Sequence, residues 1–197
     1  MAGFVRALES NRLLGLSNIY QFTNEDGRLV RSNCAQAAAA TFLTHYRKLF
    51  EPGVPNAKAV HADVPRAAMS WLEANYPPDQ IGGMFGTSRR RVVQICKAFG
   101  VGVREIRGQD NMLAALGRGK PAIVMLGVSA GKLFGHNLPG GHWMVAYACD
   151  DANVYLTNWG EMPWDQFLRG WNSFVPRLIQ MRNRGLIANY LHEGRAR

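Results

Sequence analysis

The sequence predicts an α+β domain in which helices come first and the strands of an antiparallel sheet follow. Between residues 34 and 99, apolar side chains such as Ala38, Phe42 and Tyr46 recur at helical spacing. From residue 101 onward, short apolar stretches of strand type are separated by Gly, Pro and Asp turn signals. Helices and strands are therefore grouped along the chain, which is the order typical of α+β folds.

The first half of the chain is predicted to be helical. Residues 4–15 have the pattern of a short amphipathic helix, and a polar stretch over 22–33 leads into a helix over 34–50. A helix over 65–75 begins at Pro65 and ends before Pro77 and Pro78. A helix over 88–99 is capped by Thr87 or Ser88 and stopped by Gly100.

The second half is predicted to supply the sheet. Strands are expected at 101–106, 121–126, 142–149, 153–158 and 175–181, short helices at 109–116 and 163–171, and a glycine-rich loop at 127–141.

The length of 197 residues is enough for one domain with a full hydrophobic core. We predict a single domain over 1–197, with a helical extension at 1–18 and a C-terminal tail at 183–197. No apolar run is long enough to span a membrane, and the first residues lack the apolar core of a secretory signal. Three widely spaced cysteines make no disulfide framework and suit a reducing compartment. These features predict a cytoplasmic protein, with export by a non-classical route left open.

The net charge of +9 has two interpretations. It is either a solvated basic surface, clustered at 89–91 and 177–184, or a surface that attracts an acidic protein partner. No nucleic-acid-binding motif is present, so a nucleic-acid partner is not expected. No Cys-x-x-Cys or His-x-x-x-His spacing suggests a zinc site, and no cofactor is expected.

Cys34 is the first candidate for chemistry, because it stands where a polar stretch gives way to the predicted helix over 34–50. A helix N-terminus offers unpaired N–H groups and a positive dipole end, which lower the pKa of a thiol and make it a better nucleophile. Asn33 is a suitable N-cap. Cys34 also lies on the apolar stripe of the helix, so a packing role is the alternative.

His142 and Asn158 complete the candidate site. A hairpin turning at Asp150 would place them directly opposite each other on neighbouring strands, with Cβ atoms about 4.5–5.5 Å apart on one face. An asparagine carbonyl could then orient an imidazole whose other nitrogen faces the thiol of Cys34. His136, in the loop before this strand, is the alternative base.

The aromatic residues next to these positions need no function. Trp143, Trp159 and Trp164 are expected to be core side chains rather than a ligand cage. Cys96 and Cys149 are likewise expected to be small core residues.

These residues, taken in order, resemble a family. The chain is similar to the papain-like cysteine peptidases that process bacteriocin leader peptides at a double-glycine site, and to their stand-alone bacterial relatives. The similarity spans about residues 19–181, and its pieces are Asn33-Cys34-Ala35-Gln36, then 86–100, 113–126, 142–147 and 164–171.

The resemblance implies a papain-like fold and assigns roles to four residues. Cys34 would be the nucleophile, His142 the general base and acid, and Asn158 the residue that orients the imidazole. An oxyanion-hole glutamine upstream of the cysteine is also implied, and the nearest one is Gln21. The chain departs from the family in having Ala35 where glycine is frequent and no transporter segment.

The expected function is cleavage of a peptide or amide bond by a cysteine-dependent hydrolase through an acyl-enzyme intermediate. Transfer of the acyl group to an amine, as in a transglutaminase-like enzyme, is one alternative. A non-catalytic peptide-binding module of the same fold is the other.

Overall fold

The computed structural model describes residues 33–46, 71–79, 86–133, 136–157, 159–173 and 181–191. The helices are α1 (Cys34–His45), α2 (Arg89–Ala98), α3 (Gln109–Leu116) and α4 (Trp164–Trp171), and residues 71–75 are also helical. The strands are β1 (Val101–Arg107), β2 (Ala122–Leu133), β3 (His136–Cys149), β4 (Asn153–Leu156), β5 (Gly160–Pro163) and β6 (Arg184–Leu191).

The six strands form one antiparallel sheet in the order β1-β6-β2-β3-β4-β5. β2 and β3 make the longest pairing, from Ala122 opposite Ala146 to Leu133 opposite His136. Helices and an antiparallel sheet follow each other as expected, so the predicted α+β class, with Cys34 at a helix N-terminus, is confirmed.

Side chains on successive residues of β3 enter two separate hydrophobic clusters. Trp143 and Val145 pack with α1 and α2, and we call this group the first cluster. Met144 and Ala146 pack with α3 and α4, and we call this group the second cluster. The alternation follows from the two-residue period of a strand and puts helices on both faces of the sheet.

α1 is buried nearly all round because its middle consists of alanine. Its residues from Cys34 to Thr44 are all buried, and Phe42 and Leu43 have no exposed surface. Small side chains let the helix lie close to the sheet without leaving a cavity. The close packing fixes the position of the first turn of α1, where Cys34 stands.

The structure corrects the predicted loop at 127–141. β2 continues to Leu133 and β3 begins at His136, with a register shift between Ser129 and Lys132. The glycine content suggested a loop, but the ladder uses backbone groups that glycine also carries, and Gly127 lies directly opposite Gly141. The hairpin is therefore longer than the pattern of apolar residues indicates.

Most of the other predicted elements are found. The helix at 109–116 has the predicted bounds, and α2 is capped by Ser88, whose side chain accepts the backbone N–H of Arg91. β6 lies within the segment 183–197 that was predicted as a tail, and it pairs with β1 and β2. The extension at 1–18 and residues 175–180 of the predicted last strand lie outside the described residues.

Candidate active site

Cys34 begins α1, and only 9% of it is exposed. The backbone N–H groups of Trp143, Ala35 and Cys34 itself lie near the sulfur and lower the pKa of the thiol. Two of these donors belong to the first turn of α1, whose N–H groups have no partner within the helix. The third comes from β3, so the thiol lies between the start of the helix and the sheet.

Asn33 occupies the N-cap position but does not cap the helix with its side chain. Its amide nitrogen instead donates to Glu73, in the helical segment at 71–75. The expected side-chain cap is therefore wrong, because the buried amide of Asn33 is used to connect two segments. Its Oδ1 atom is buried and has no hydrogen-bond partner among the residues that the structure describes.

The electrostatics of Cys34 also differ from the expectation. Burial raises the pKa of the thiol, and the three backbone N–H groups lower it by less. The free-energy cost of removing a thiolate from water is thus larger than the stabilisation that the helix N-terminus provides. Burial likewise raises the pKa of Cys96 to about 12 and that of Cys149 to about 11.

His142 lies on β3 directly opposite Leu126 of β2, and it is half-buried. Burial lowers the pKa of its imidazole. At neutral pH the side chain is therefore neutral and can accept a proton, as a general base must. With the raised pKa of Cys34, the two shifts favour a neutral thiol and a neutral imidazole over a charged pair.

The structure brings Cys34 to the backbone of the strand that carries His142. The N–H group at the thiol belongs to Trp143, the residue after His142. Among the described residues, no hydrogen bond joins the thiol to the imidazole. Strand alternation places His142 on the same side of β3 as Met144, whereas Trp143 packs with Cys34 in the first cluster.

Asn158 and Gln21 lie outside the described residues, so their places in the site stay predictions. The register used to pair Asn158 with His142 is wrong where it can be compared. Ala146 pairs with Leu156, and Cys149 with Val154, because the turn lies past Asp150 and a bulge separates Ala146 from Ala148.

The Asp150 carboxylate sets this later turn. It accepts the backbone N–H groups of Ala152 and Asn153 and holds the chain in an Asx-type turn. Tyr155 donates to the same carboxylate, which raises the pKa of that phenol to about 12.

Sequence reasoning missed a buried polar group beside Cys34. Gln36 has no exposed surface and hydrogen-bonds Thr87, which is also buried, and the Thr87 carbonyl accepts the indole N–H of Trp143. A glutamine within an alanine-rich buried helix is a signal that could have found it, because a buried amide requires partners.

A cavity of about 290 Å³ lies next to β2, near the position of His142. It is lined by Leu126, Gly127, Trp159, Met162, Gln166, Arg169 and Gly170. Trp159 is 54% exposed, which corrects its expected place in the core, whereas Trp143 is buried and Trp164 is half-buried against the second cluster. The exposure arises because Trp159 lies in the short turn between β4 and β5.

Within the described ranges, no group of three His, Cys, Asp or Glu side chains could hold a metal ion. In the same part of the chain, no helix has the length and apolar character needed to cross a membrane.

The structure therefore places a cysteine at a helix N-terminus beside a strand that carries a neutral histidine, and these are two residue types that cysteine-dependent hydrolases use. No family model matches the chain, and no curated protein matches it significantly. The matches are to solved structures, and three of them are peptidases of the kind that the sequence resembles.

The first is a protein from Bacillus anthracis described as a C39-like peptidase, at 12% identity and a TM-score of 0.37, covering 54% of this chain and 60% of that one. The second is the peptidase domain of Streptococcus ComA, a bifunctional ABC transporter of a quorum-sensing pathway, at 14% identity and a TM-score of 0.47, covering 79% of this chain and 90% of that one. The third is a double-glycine-motif protease from an AMS/PCAT transporter in complex with the leader peptide. It has 14% identity and a TM-score of 0.48, and the match covers 88% of this chain and 93% of that one. These values are too low to transfer an activity, so a function has to be argued from the site itself.

Proposed function

We propose that the protein is a papain-like, cysteine-dependent hydrolase that cleaves a peptide or amide bond through an acyl-enzyme intermediate. The observation that carries the proposal is the position of Cys34 at the N-terminus of α1, in one cluster with Trp143 of the strand that carries His142, where N–H groups of α1 and of Trp143 lie near the thiol and lower its pKa. A packing cysteine needs no such donors, whereas a nucleophile uses them to stabilise the developing thiolate.

The reaction begins with transfer of the thiol proton of Cys34 to the neutral imidazole of His142. The sulfur attacks the carbonyl carbon, and the C–N bond breaks as the imidazolium returns the proton to the departing amine. Water, deprotonated by the same imidazole, then attacks the thioester, which releases the acid and regenerates the thiol.

Binding of the substrate must bring the neutral thiol of Cys34 and the neutral imidazole of His142 together. Proton transfer requires the imidazole of His142 to reach the sulfur, and because strand alternation puts His142 on the other side of β3 from Trp143, the backbone around His142 must rearrange when the substrate binds. Burial of both groups favours a proton shared during attack over a thiolate formed beforehand. Asn158 would orient the imidazole, and Gln21 would donate to the oxyanion together with an N–H group of α1.

The substrate we propose is a peptide, and the net charge of +9 would attract an acidic one. All three cysteines are free, which fits work in a reducing compartment.

A second candidate is a non-catalytic peptide-binding module. The raised pKa of Cys34 and the lack of a thiol–imidazole hydrogen bond among the described residues favour it over the acyltransferase alternative. Such a module would keep the fold and the cleft but would not need His142 to act on the thiol.

Alkylation by iodoacetamide at neutral pH, followed by mass spectrometry of the three cysteine peptides, distinguishes these functions. For a hydrolase, Cys34 reacts faster than Cys96 and Cys149, and replacement of His142 by alanine removes most of the advantage. The dependence on His142 is decisive, because greater exposure alone could make Cys34 the fastest of the three.

The matched control is His136→Ala, which tests the alternative base. A loss of Cys34 reactivity in that variant, with none in His142→Ala, would transfer the role to His136. Equal and slow labelling of all three cysteines would refute the hydrolase. Hydrolysis of a random peptide library by the wild type, absent in Cys34→Ala, would complete the positive result.

A further inference from the structure

Gln36 is a buried polar residue two positions after the proposed nucleophile. Its amide nitrogen donates to the backbone carbonyl of Tyr76 at 2.7 Å and to the Thr87 hydroxyl at 3.2 Å. The Thr87 hydroxyl lies 3.3 Å from Oε1 of Gln36, to which it can donate. The amide is thus held by two segments that lie 40 and 51 residues further along the chain.

Thr87 extends the connection to the sheet. Its backbone carbonyl accepts the indole N–H of Trp143 at 3.1 Å. Gln36, Thr87 and Trp143 therefore form a chain of hydrogen bonds from the first turns of α1 to β3. We call these three residues the Gln36 network.

Both ends of the Gln36 network lie at the proposed site. Gln36 is in the same helix as Cys34, and Trp143 packs with Cys34 in the first cluster, with its backbone N–H near the thiol. Trp143 is also bonded through the backbone to His142. The Gln36 network and the contact between the Trp143 backbone N–H and the Cys34 sulfur therefore form a ring of contacts around the nucleophile. A shift in the Gln36 network is consequently transmitted to the contact at the sulfur.

Burial of an amide costs free energy unless it is paired, and Gln36 is paired with the Tyr76 carbonyl and the Thr87 hydroxyl. Hydrogen bonds differ from apolar contacts in fixing distance and direction. The Gln36 network is suited to holding a helix and a strand in one register.

We propose that Gln36 and Thr87 are positioning residues. Through the indole of Trp143 they hold its backbone N–H, and with it the strand segment of His142, at the sulfur of Cys34. The proposal rests on the proposed function in treating Cys34 as the nucleophile. A misplacement of about 1 Å in such a site can reduce a rate by about 100-fold. Neither residue touches the substrate in this mechanism.

Two matched pairs of variants test the proposal on the full chain, with iodoacetamide as the probe. Thr87→Val removes the hydroxyl and keeps the shape, whereas Thr87→Ser keeps the hydroxyl. Trp143→Phe removes the indole donor to Thr87. Its control is Trp171→Phe, because Trp171 is also a buried tryptophan whose indole N–H donates to a backbone carbonyl, that of Arg184 at 2.8 Å, but in the second cluster.

For each variant, the melting temperature and the rate of Cys34 alkylation across pH are measured. The limiting rate at high pH reports access to the thiol, and the midpoint of the pH profile reports its environment. Thr87→Val and Trp143→Phe should move the midpoint to higher pH and reduce the rate at neutral pH by roughly 10-fold or more, since a donor to the thiolate is displaced. Thr87→Ser should restore the wild-type profile, and Trp171→Phe should lower the melting temperature without moving the midpoint.

A lowered melting temperature with an unchanged midpoint in Thr87→Val and Trp143→Phe would overturn the proposal, because the Gln36 network would then only stabilise the fold. Failure of the proposed function has a different signature. In that case His142→Ala leaves the reactivity of Cys34 unchanged, while the midpoint still shifts in Thr87→Val if the Gln36 network positions the thiol.

Discussion

Gly127 and Gly141 face each other across β2 and β3, one position away from the pair formed by Leu126 and His142. Replacing each glycine by alanine in turn tests how tightly α4 is fitted to this part of the sheet. Neither glycine has a positive φ angle, so the two substitutions differ only in what the new methyl group meets. Their effects on the unfolded chain are the same and cancel in the comparison.

The two environments differ sharply. An alanine Cβ at 127 would lie 1.5 Å from Oγ and 2.6 Å from Cβ of Ser173, and 3.3 Å from the carbonyl oxygen of Gly170. An alanine Cβ at 141 would lie 1.8 Å from Cε of Met125, which is the end of a flexible side chain. Gly127→Ala must therefore move the backbone after α4, whereas Gly141→Ala requires only a new rotamer of Met125.

We expect Gly127→Ala to destabilise the protein by about 1–3 kcal/mol, the usual cost of overpacking. For a chain of 197 residues this corresponds to a fall of roughly 2–12 °C in melting temperature. Gly141→Ala should cost about 1 kcal/mol or less. Differential scanning calorimetry of both variants measures the difference directly.

A double variant, Gly127→Ala with Ser173→Gly, identifies the cause. It removes both Ser173 contacts and leaves the 3.3 Å approach to Gly170. Ser173→Gly alone should cost about 1 kcal/mol, because Ser173 Oγ donates to the Gly170 carbonyl at 2.7 Å. The double variant should therefore be more stable than the sum of the single effects by about 1–2 kcal/mol. Equal melting temperatures for Gly127→Ala and Gly141→Ala, or additive effects in the double variant, would refute the reasoning.

Two further predictions concern His142 and Trp159. The lowered pKa of half-buried His142 means that the unfolded state binds a proton more readily, so stability is complete above the ordinary value of 6.5 and is lost as pH falls from there through the folded-state pKa. Urea midpoints across this range should show the loss in the wild type and a smaller one in His142→Gln; equal slopes would contradict it. Trp159 is 54% exposed, so Trp159→Ala should change the free energy of unfolding by no more than about 0.5 kcal/mol. A larger loss in urea denaturation would show that Trp159 packs in the core.

The elements with strong local signals were predictable. α2 has Ser88 as its cap, and α3 lies between two glycines, so both were located from the sequence with small errors. Their boundaries depend on residues next to each other in the chain, which is the information that a single sequence carries.

The features that depend on distant partners were not predictable. The extension of the β2–β3 hairpin through Gly127 and Gly141 depends on backbone pairing, which a pattern of side chains does not reveal. The turn after Asp150 depends on carboxylate hydrogen bonds to Ala152 and Asn153, which shift the register away from the expected one. The pKa of Cys34, which burial raises and nearby backbone N–H groups lower, likewise depends on packing that a local sequence pattern does not reveal.

The candidate site was predicted in part for the same reason. Cys34 and His142 could be selected as candidates, because a helix start and an apolar strand leave clear marks in the sequence, and the structure puts Cys34 in one cluster with Trp143 of that strand. The connection through Gln36 and Thr87 was missed, because those two residues are 51 positions apart.

The order of the strands also determines when the sheet can be completed during synthesis of the chain. β6 is inserted between β1 and β2, and Val101 pairs with Leu191. While a ribosome is still adding the residues of β6, the sheet that supports α1 lacks a central strand, although Cys34 and His142 have long been made. Contacts so distant in the sequence form late and slowly. The surroundings of Cys34, which include Leu186 and Ala188 of β6, are therefore completed only after β6 has left the ribosome.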